Sequence, residues 1–382
     1  MFHSKQIFLS TVCVLLISTI GSASAAVRLP AVFADGMVLQ RNQAVPVWGW
    51  ADPGEEITVT YGAKSAKVTP AEDGRWRVML PKLAVQKTPL DLRIDSAQSE
   101  GVVVHNVLVG DVWLCSGPSN LFWPVSKCDN AAQEIAAANY PQIRFFMTEK
   151  ALADEPQDDC EGAWTVCSPE TVGPTSGVAY FFSRRIHTEM DVPIGVLQSF
   201  WGGSRMEAWT SQEALDAAPG VQPVLLAWAA GMAEFNSGSP QAAYSKKLDA
   251  WKKADDEAKK AEKKAPAKPR PPENPATSRH RPASLYNGMI APLIPYGIRG
   301  AMIYQGLGNL AQSQHNTALL ETQIEDWRTR WGLGTIPFGL VQPSPYVIAG
   351  GFPKDHVDAY SLSREAQKIV IDRLPNIGLA LT

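Results

Sequence analysis

The sequence predicts an α/β protein: a mostly parallel sheet flanked by helices, preceded by a small all-β sandwich. Three observations carry that expectation. Residues 27 to 105 hold only short apolar runs separated by turn residues. From Val107 onward such runs alternate with stretches of helical spacing, the βαβ rhythm that builds parallel sheets. Three strand ends also carry small polar or glycine-rich segments, at 116–120, 202–204 and 306–309, and sheets of this kind seat ligands beyond the carboxyl ends of their strands.

In chain order, His3 and Lys5 precede the apolar run Ile7 to Ile20, and Ala23-Ser24-Ala25 reads as a cleavage site. Residues 1–25 are therefore expected to be an export leader removed near Ala25. The run is too short to span a bilayer comfortably, and no later one is long enough. The mature chain is expected to be soluble and periplasmic or secreted, with no membrane span. Residues 26–105 are assigned to the sandwich, with strands expected at 45–49, 56–61, 75–80 and 90–94. Asp52-Pro53-Gly54, Asp73-Gly74 and Pro81 break the pattern between them. Its expected role is scaffolding or substrate framing.

Residues 106–382 are assigned to the α/β unit. Strands are expected at 107–114, 194–199, 301–305, 338–342 and 377–381, and helices at 178–190, 319–331 and 363–374. In the second helix Leu319, Leu320, Ile324, Trp327 and Trp331 share one face, and Gly332 stands where a C-terminal cap belongs. Residues 212–283 interrupt the rhythm as an insertion. A charged helix over 246–264 is followed by a Pro-rich return, and the basic cluster Lys259, Lys260, Lys263 and Lys264 reads as a solvated face beside acidic neighbours.

Composition bounds the function. Of 382 residues, 45% are hydrophobic and 19% charged, enough apolar content for a large core, and the net charge of -3 gives no case for nucleic acid as a partner. The 12 Trp fit a sugar-facing protein as well as they fit core packing. Of five cysteines, Cys13 leaves with the leader and Cys115 ends a buried run. Cys128, Cys160 and Cys167 lie in polar sequence and could pair in an oxidising compartment. No His/Cys spacing suggests zinc, and no metal or cofactor is expected.

The apolar run before Ser116-Gly117-Pro118-Ser119-Asn120 reads as a strand leading into a tight turn with a hydroxyl at its tip. An ordinary loop would share this composition. What favours chemistry is the convergence of three such strand ends. Acyl transfer by serine needs an activated hydroxyl and donors aimed at the developing oxyanion. Ser119 is the best-placed nucleophile, Ser116 being closer to the strand. The backbone N–H groups of Ser119 and of Gly202 or Gly203 are candidate oxyanion donors, with the Asn309 amide as a third. Asn120 and Gln305 are expected to support the turn. The G-x-S-x-G elbow of α/β-hydrolases is absent.

Longer segments then carry a resemblance. Gly110-Asp111-Val112-Trp113-Leu114-Cys115-Ser116-Gly117 with Ser119-Asn120, Val192-Pro193-Ile194-Gly195 through Trp201-Gly202-Gly203, Glu207-Ala208-Trp209-Thr210-Ser211, Leu285 to Leu293 and Arg364-Glu365-Ala366-Gln367 resemble the sialate O-acetylesterases, a branch of the SGNH-type serine esterases. The resemblance runs over essentially the whole mature chain. It implies an SGNH-hydrolase-like sheet and a metal-free serine esterase removing O-acetyl groups from sialic acid or a related acetylated glycan. Carried over by position, Ser119 is the nucleophile, and Gly202, Gly203 and Asn309 furnish the oxyanion hole.

The chain departs from the family pattern at Pro118, where the family has Gln, and at Gly306-Leu307-Gly308-Asn309, where it has Gly-Glu-Ser-Asn. The family's general base is a His in an Asp-x-x-His segment, expected after the last strand, and none of the six histidines matches it. The sequence is thus expected to be a fragment or truncated product of such an esterase, with His356 as the candidate substitute base. His105, His187, His280 and His315 read as structural or exposed. A catalytically inactive glycan-binding protein that keeps the pocket is the alternative, and a purely structural secreted protein the third reading.

Overall fold

The structure, a computed structural model, describes residues 26–344 and 354–382, the side chains of 354–358 excepted. The leader expected at residues 1–25 lies outside them. The chain builds β1 (Val38–Gln40), β2 (Val45–Trp50), β3 (Ile57–Tyr61), β4 (Lys64–Val68), β5 (Arg75–Leu80), β6 (Gln86–Ser96) and β7 (Val102–Gly117). It continues with β8 (Tyr140–Thr148), β9 (Gly162–Cys167), β10 (Ile194–Phe200), β11 (Gly300–Ile303), β12 (Phe338–Val341) and β13 (Ile377–Ala380).

One strand organises both halves. β7 is 16 residues long. Its first part pairs antiparallel with β6 and parallel with β1, while β3 and β4 continue the sheet beyond β6. β2 and β5 form a separate antiparallel ribbon. From Asp111 to Gly117, β7 lies parallel between β10 and β11. The order there is β13-β12-β11-β7-β10-β8-β9, with every neighbouring pair parallel except β8 and β9. The boundary expected between residues 105 and 106 falls inside β7, so the chain passes between its two halves within one strand.

Both faces of the central sheet are covered, which is why its strands read as apolar runs. The period-two alternation sorts side chains into two clusters. Val112 and Leu114 of β7, Leu197 of β10 and Ala301 and Ile303 of β11 join one cluster, while Cys115, Val196 and Met302 join the other. Helices α1 (Ala131–Ala136), α2 (Gly177–Met190), α3 (Gln212–Ala217), α4 (Gln222–Asn236), α5 (Ser239–Lys260), α6 (Asn316–Trp331) and α7 (Lys354–Arg373) complete the fold. α2 gives Ala179 and Tyr180 to the second cluster, and the Ser176 hydroxyl caps it by accepting from the Ala179 N–H. α6 buries Leu319, Leu320, Ile324, Trp327 and Trp331 in the first cluster, and Gly332, at φ 64°, ends it as anticipated.

Four strands escape the sequence reading. β4 is mostly exposed and carries two lysines, so no apolar run marks it. β1 has only three residues. β9 is the edge strand with β8 next to it, and β8 hides the charged Arg144 in its apolar run. That guanidinium is satisfied by the carbonyls of Pro141 and Gly36, and burial lowers its pKa. α7 also starts well before the expected Ser363. The insertion becomes α3 to α5, with most of α5 solvated, followed by a return that rejoins the body where the Ala283 N–H donates to the Glu207 carbonyl at 2.9 Å.

The pairing that the sequence leaves open for Cys128, Cys160 and Cys167 is not formed. All three, and Cys115, are free thiols. No described helix is long and apolar enough to cross a membrane.

Candidate active site

Three loops meet at the carboxyl edge of β7, β10 and β11. The first follows β7. Gly117 has φ 149°, and a Cβ there would stand 2.5 Å from the Tyr304 carbonyl oxygen, so only glycine lets β7 run this close to the segment after β11. Backbone bonds tie the turn to both neighbours, the Trp201 N–H donating to the Gly117 carbonyl and the Tyr304 N–H to that of Ser116, each at 3.2 Å. The Leu121 N–H then closes the turn onto the Pro118 carbonyl at 3.2 Å. Pro118 is buried and Ser119 is exposed at the tip. Ser116 lies below with its hydroxyl buried and, among the described residues, without a partner.

The second loop follows β10. Gly202 lies against Ser119, a Cβ at Gly202 falling 3.4 Å from the Ser119 Cβ. Gly203 takes φ 80° and shares a cavity of about 380 Å³ with Ser119. The remaining walls are Pro118, Asn120, the third-loop residues Gly306 to Gly308, and Ser344. Gly308 presses on the second loop, and a Cβ there would stand 2.5 Å from the Ser204 carbonyl oxygen. Among the described residues no acceptor takes the backbone N–H of Ser119, Gly202 or Gly203. The structure therefore brings the exposed Ser119 and Gly203 to one cavity, with Gly202 against Ser119 and their N–H groups without an internal acceptor among the described residues, an arrangement able to hold a carbonyl oxygen as it gains charge.

The other anticipated residues are placed less directly. Asn120 is on the cavity wall, with its side-chain nitrogen near Gly306. Gln305 joins the second loop to the third instead of supporting the Ser119 turn, its Nε2 lying 3.4 Å from both the Ser204 carbonyl and Asn309 Oδ1. Asn309 is 2% exposed and is not part of the cavity wall. Its Oδ1 accepts from the Met206 N–H at 3.0 Å and its Nδ2 donates to Glu207 Oε2 at 2.7 Å. His356 falls in the first turn of α7, not in a loop, and its side chain lies outside the described residues.

Glu207 is the participant that sequence reasoning passed over. It stands inside a quoted motif, yet its contact with Asn309 spans 102 positions of chain. Burial raises the Glu207 pKa, while the Asn309 amide, a local backbone bond and the Arg205 charge pull the other way. Trp209 fixes the same segment by donating its indole N–H to the Ser204 hydroxyl at 2.8 Å.

No family profile matches the sequence. The chain is 30% identical over 366 residues to a sialate O-acetylesterase of Mus musculus, covering 87% of this chain and 64% of that protein. It is 27% identical over 353 residues to one of Homo sapiens, covering 85% and 58% respectively. The chain thus spans 58% to 64% of the length of these two curated relatives. The crystal structure of a carbohydrate acetylesterase from Xanthomonas citri superposes with a TM-score of 0.74 at 31% identity, covering 93% of this chain and 68% of that one.

Proposed function

The chain belongs to the sialate O-acetylesterase family, and from that premise we propose that it hydrolyses O-acetyl esters of sialic acid or a related acetylated glycan with Ser119 as nucleophile. The observation that carries the proposal is that Ser119, exposed at the tip of its turn, shares one cavity with Gly203 while Gly202 packs against it. Ser119 Oγ adds to the acetyl carbonyl carbon as a general base takes its proton. The resulting oxyanion accepts from the N–H groups of Ser119 and Gly203, with Gly202 and the second N–H of Asn309 as further donors. Collapse breaks the bond to the sugar oxygen, which leaves with the proton returned by the base. Water then attacks the acetyl-serine as the base takes its proton, the bond from Oγ to the acyl carbon breaks with that proton returned to Ser119 Oγ, and acetate departs. We assign the base to His356, at the start of the helix that follows the cavity wall residue Ser344. On the leader reading we also place the mature chain in the periplasm or outside the cell.

The test is acetate release from an O-acetylated sialic acid and from a neutral acetylated sugar. Ser119→Ala should lower turnover by about a thousandfold or more, and His356→Ala by a comparable factor. Turnover that survives Ser119→Ala removes that serine as nucleophile. Saturable glycan binding without any turnover would instead favour the inactive glycan-binding reading.

A further inference from the structure

The return of the insertion brings Arg279 against the second loop. A Cβ built on Gly203 would meet Arg279 Nη2 at 3.1 Å and Nε at 3.2 Å, so the guanidinium occupies the space a side chain at Gly203 would need. Gly203 itself lines the Ser119 cavity. Among the described residues Arg279 forms no hydrogen bond and no ion pair, and its Nε is buried with no acceptor. The adjoining His280 repeats the pattern, its Nδ1 being buried and unpartnered. Arg205 belongs to the same cluster. Burial and the charges of Arg205 and Arg279 hold the His280 pKa below the ordinary range, with Glu273 opposing them.

The carboxylates at hand answer Arg205 at the limit of ion-pair distance and leave Arg279 without one. Glu207 Oε2 is taken by Asn309, and its Oε1 stands 3.9 Å from Arg205 Nη1, too far for a hydrogen bond. Glu273 accepts from the Ser278 hydroxyl at 2.6 Å. Two neighbouring buried nitrogens without partners, one of them on a guanidinium that no carboxylate meets among the described residues, are the imprint of an absent anion. A planar guanidinium fork is matched by a carboxylate in two parallel bonds.

We infer that Arg279, with Arg205 and His280 beside it, forms an anion subsite next to the Ser119 cavity that seats the carboxylate of an acidic sugar while the acetyl group of that sugar lies against Ser119. The inference rests on the acetylated-glycan reading and narrows it to sugar acids. It gives the insertion a purpose, since the insertion's return is what carries Arg279 to Gly203.

The test separates the subsite from the chemistry. N-acetylneuraminic acid and its methyl ester, which differ only in that carboxylate, are titrated calorimetrically into the wild-type chain and into Arg279→Gln. The wild type should bind the acid at least about tenfold more tightly than the ester, about 1.4 kcal/mol. Arg279→Gln should reduce the acid to the level of the ester, with its thermal melt as the control for folding. In turnover of an O-acetylated N-acetylneuraminic acid the loss should fall on KM more than on kcat. Equal binding of acid and ester by the wild type, or no binding of either, overturns the subsite, as does an Arg279→Gln variant that keeps the preference. An Arg279-dependent preference without hydrolysis leaves the subsite standing and removes the esterase reading. Ser119-dependent hydrolysis indifferent to the carboxylate does the reverse.

Discussion

Replacing Glu207 by Gln and by Ala should have opposite consequences. The carboxyl is buried, and one oxygen accepts from Asn309 Nδ2 at 2.7 Å. Alanine leaves that buried amide without its acceptor, which costs about 1–3 kcal/mol before any loss of packing is counted. If Asn309 is an oxyanion donor, alanine also frees its amide to turn. Outright removal of such a donor costs about 10²–10³ in kcat, so a loosened one should cost roughly tenfold or more with little change in KM.

Glutamine keeps an acceptor oxygen for Asn309 and removes the buried charge. The Glu207 pKa is raised, burial being the largest cause. A carboxylic acid with a raised folded pKa holds its proton more tightly in the folded chain than in the unfolded one. Its stabilising contribution is therefore full below the ordinary carboxylate range and is lost as pH climbs through the raised value. Glu207→Gln lacks that loss, so its melting temperature should gain on the wild type as pH rises above the ordinary carboxylate range. The assays are thermal melts across that rise in pH and kcat with a small acetyl ester. A Glu207→Ala variant with full kcat would refute the positioning role, and a Glu207→Gln variant that falls behind the wild type as pH rises would refute the electrostatic argument.

Three further outcomes follow from the geometry. Asp111 is buried and takes two 2.8 Å bonds from Arg41, so Asp111→Ala should cost about 3–5 kcal/mol in chemical denaturation by leaving the guanidinium unpaired. Gly308→Ala should force the third loop away from the Ser204 carbonyl, lowering turnover and costing about 1–3 kcal/mol in a melt. The four thiols are unpaired, so reductant should not move the melting temperature. Burial pushes Cys115 and Cys160 up to about 12 and Cys167 to about 11, so at about pH 8 Cys128 should alkylate first and the others only with denaturant.

Periodicity exposed the elements whose physics is local. The apolar face of α6 with Gly332 at its end, the run feeding Ser119 and the glycine segments after β10 and β11 all follow from spacing within a few turns of chain. It failed where distant partners decide. Arg144 is tolerated in β8 because the Gly36 carbonyl, 108 positions away, accepts from it. Asn309 reads as a free donor until Glu207 is seen beside it, and Arg279 reads as part of a polar return until Gly203 is found beneath it. The lower estimate of α7 arose because its first turns carry charged residues with no apolar stripe.

The length of β7 has a mechanical consequence. A strand of 16 residues reaches roughly 50 Å, and this one is clamped along its first part by β6 and β1 while its far end carries the Ser119 turn. It behaves as a beam held at both ends, its far end fixed between β10 and β11 with the Ser119 turn just beyond. The hydrogen-bonded ladder is handed from β6 and β1 to β10 and β11 at Gly110 and Asp111 without leaving the strand, so the N-terminal half is no detachable module swinging on a linker. Trimming that half would free one end of the beam and leave the Ser119 turn held by β10 and β11 alone.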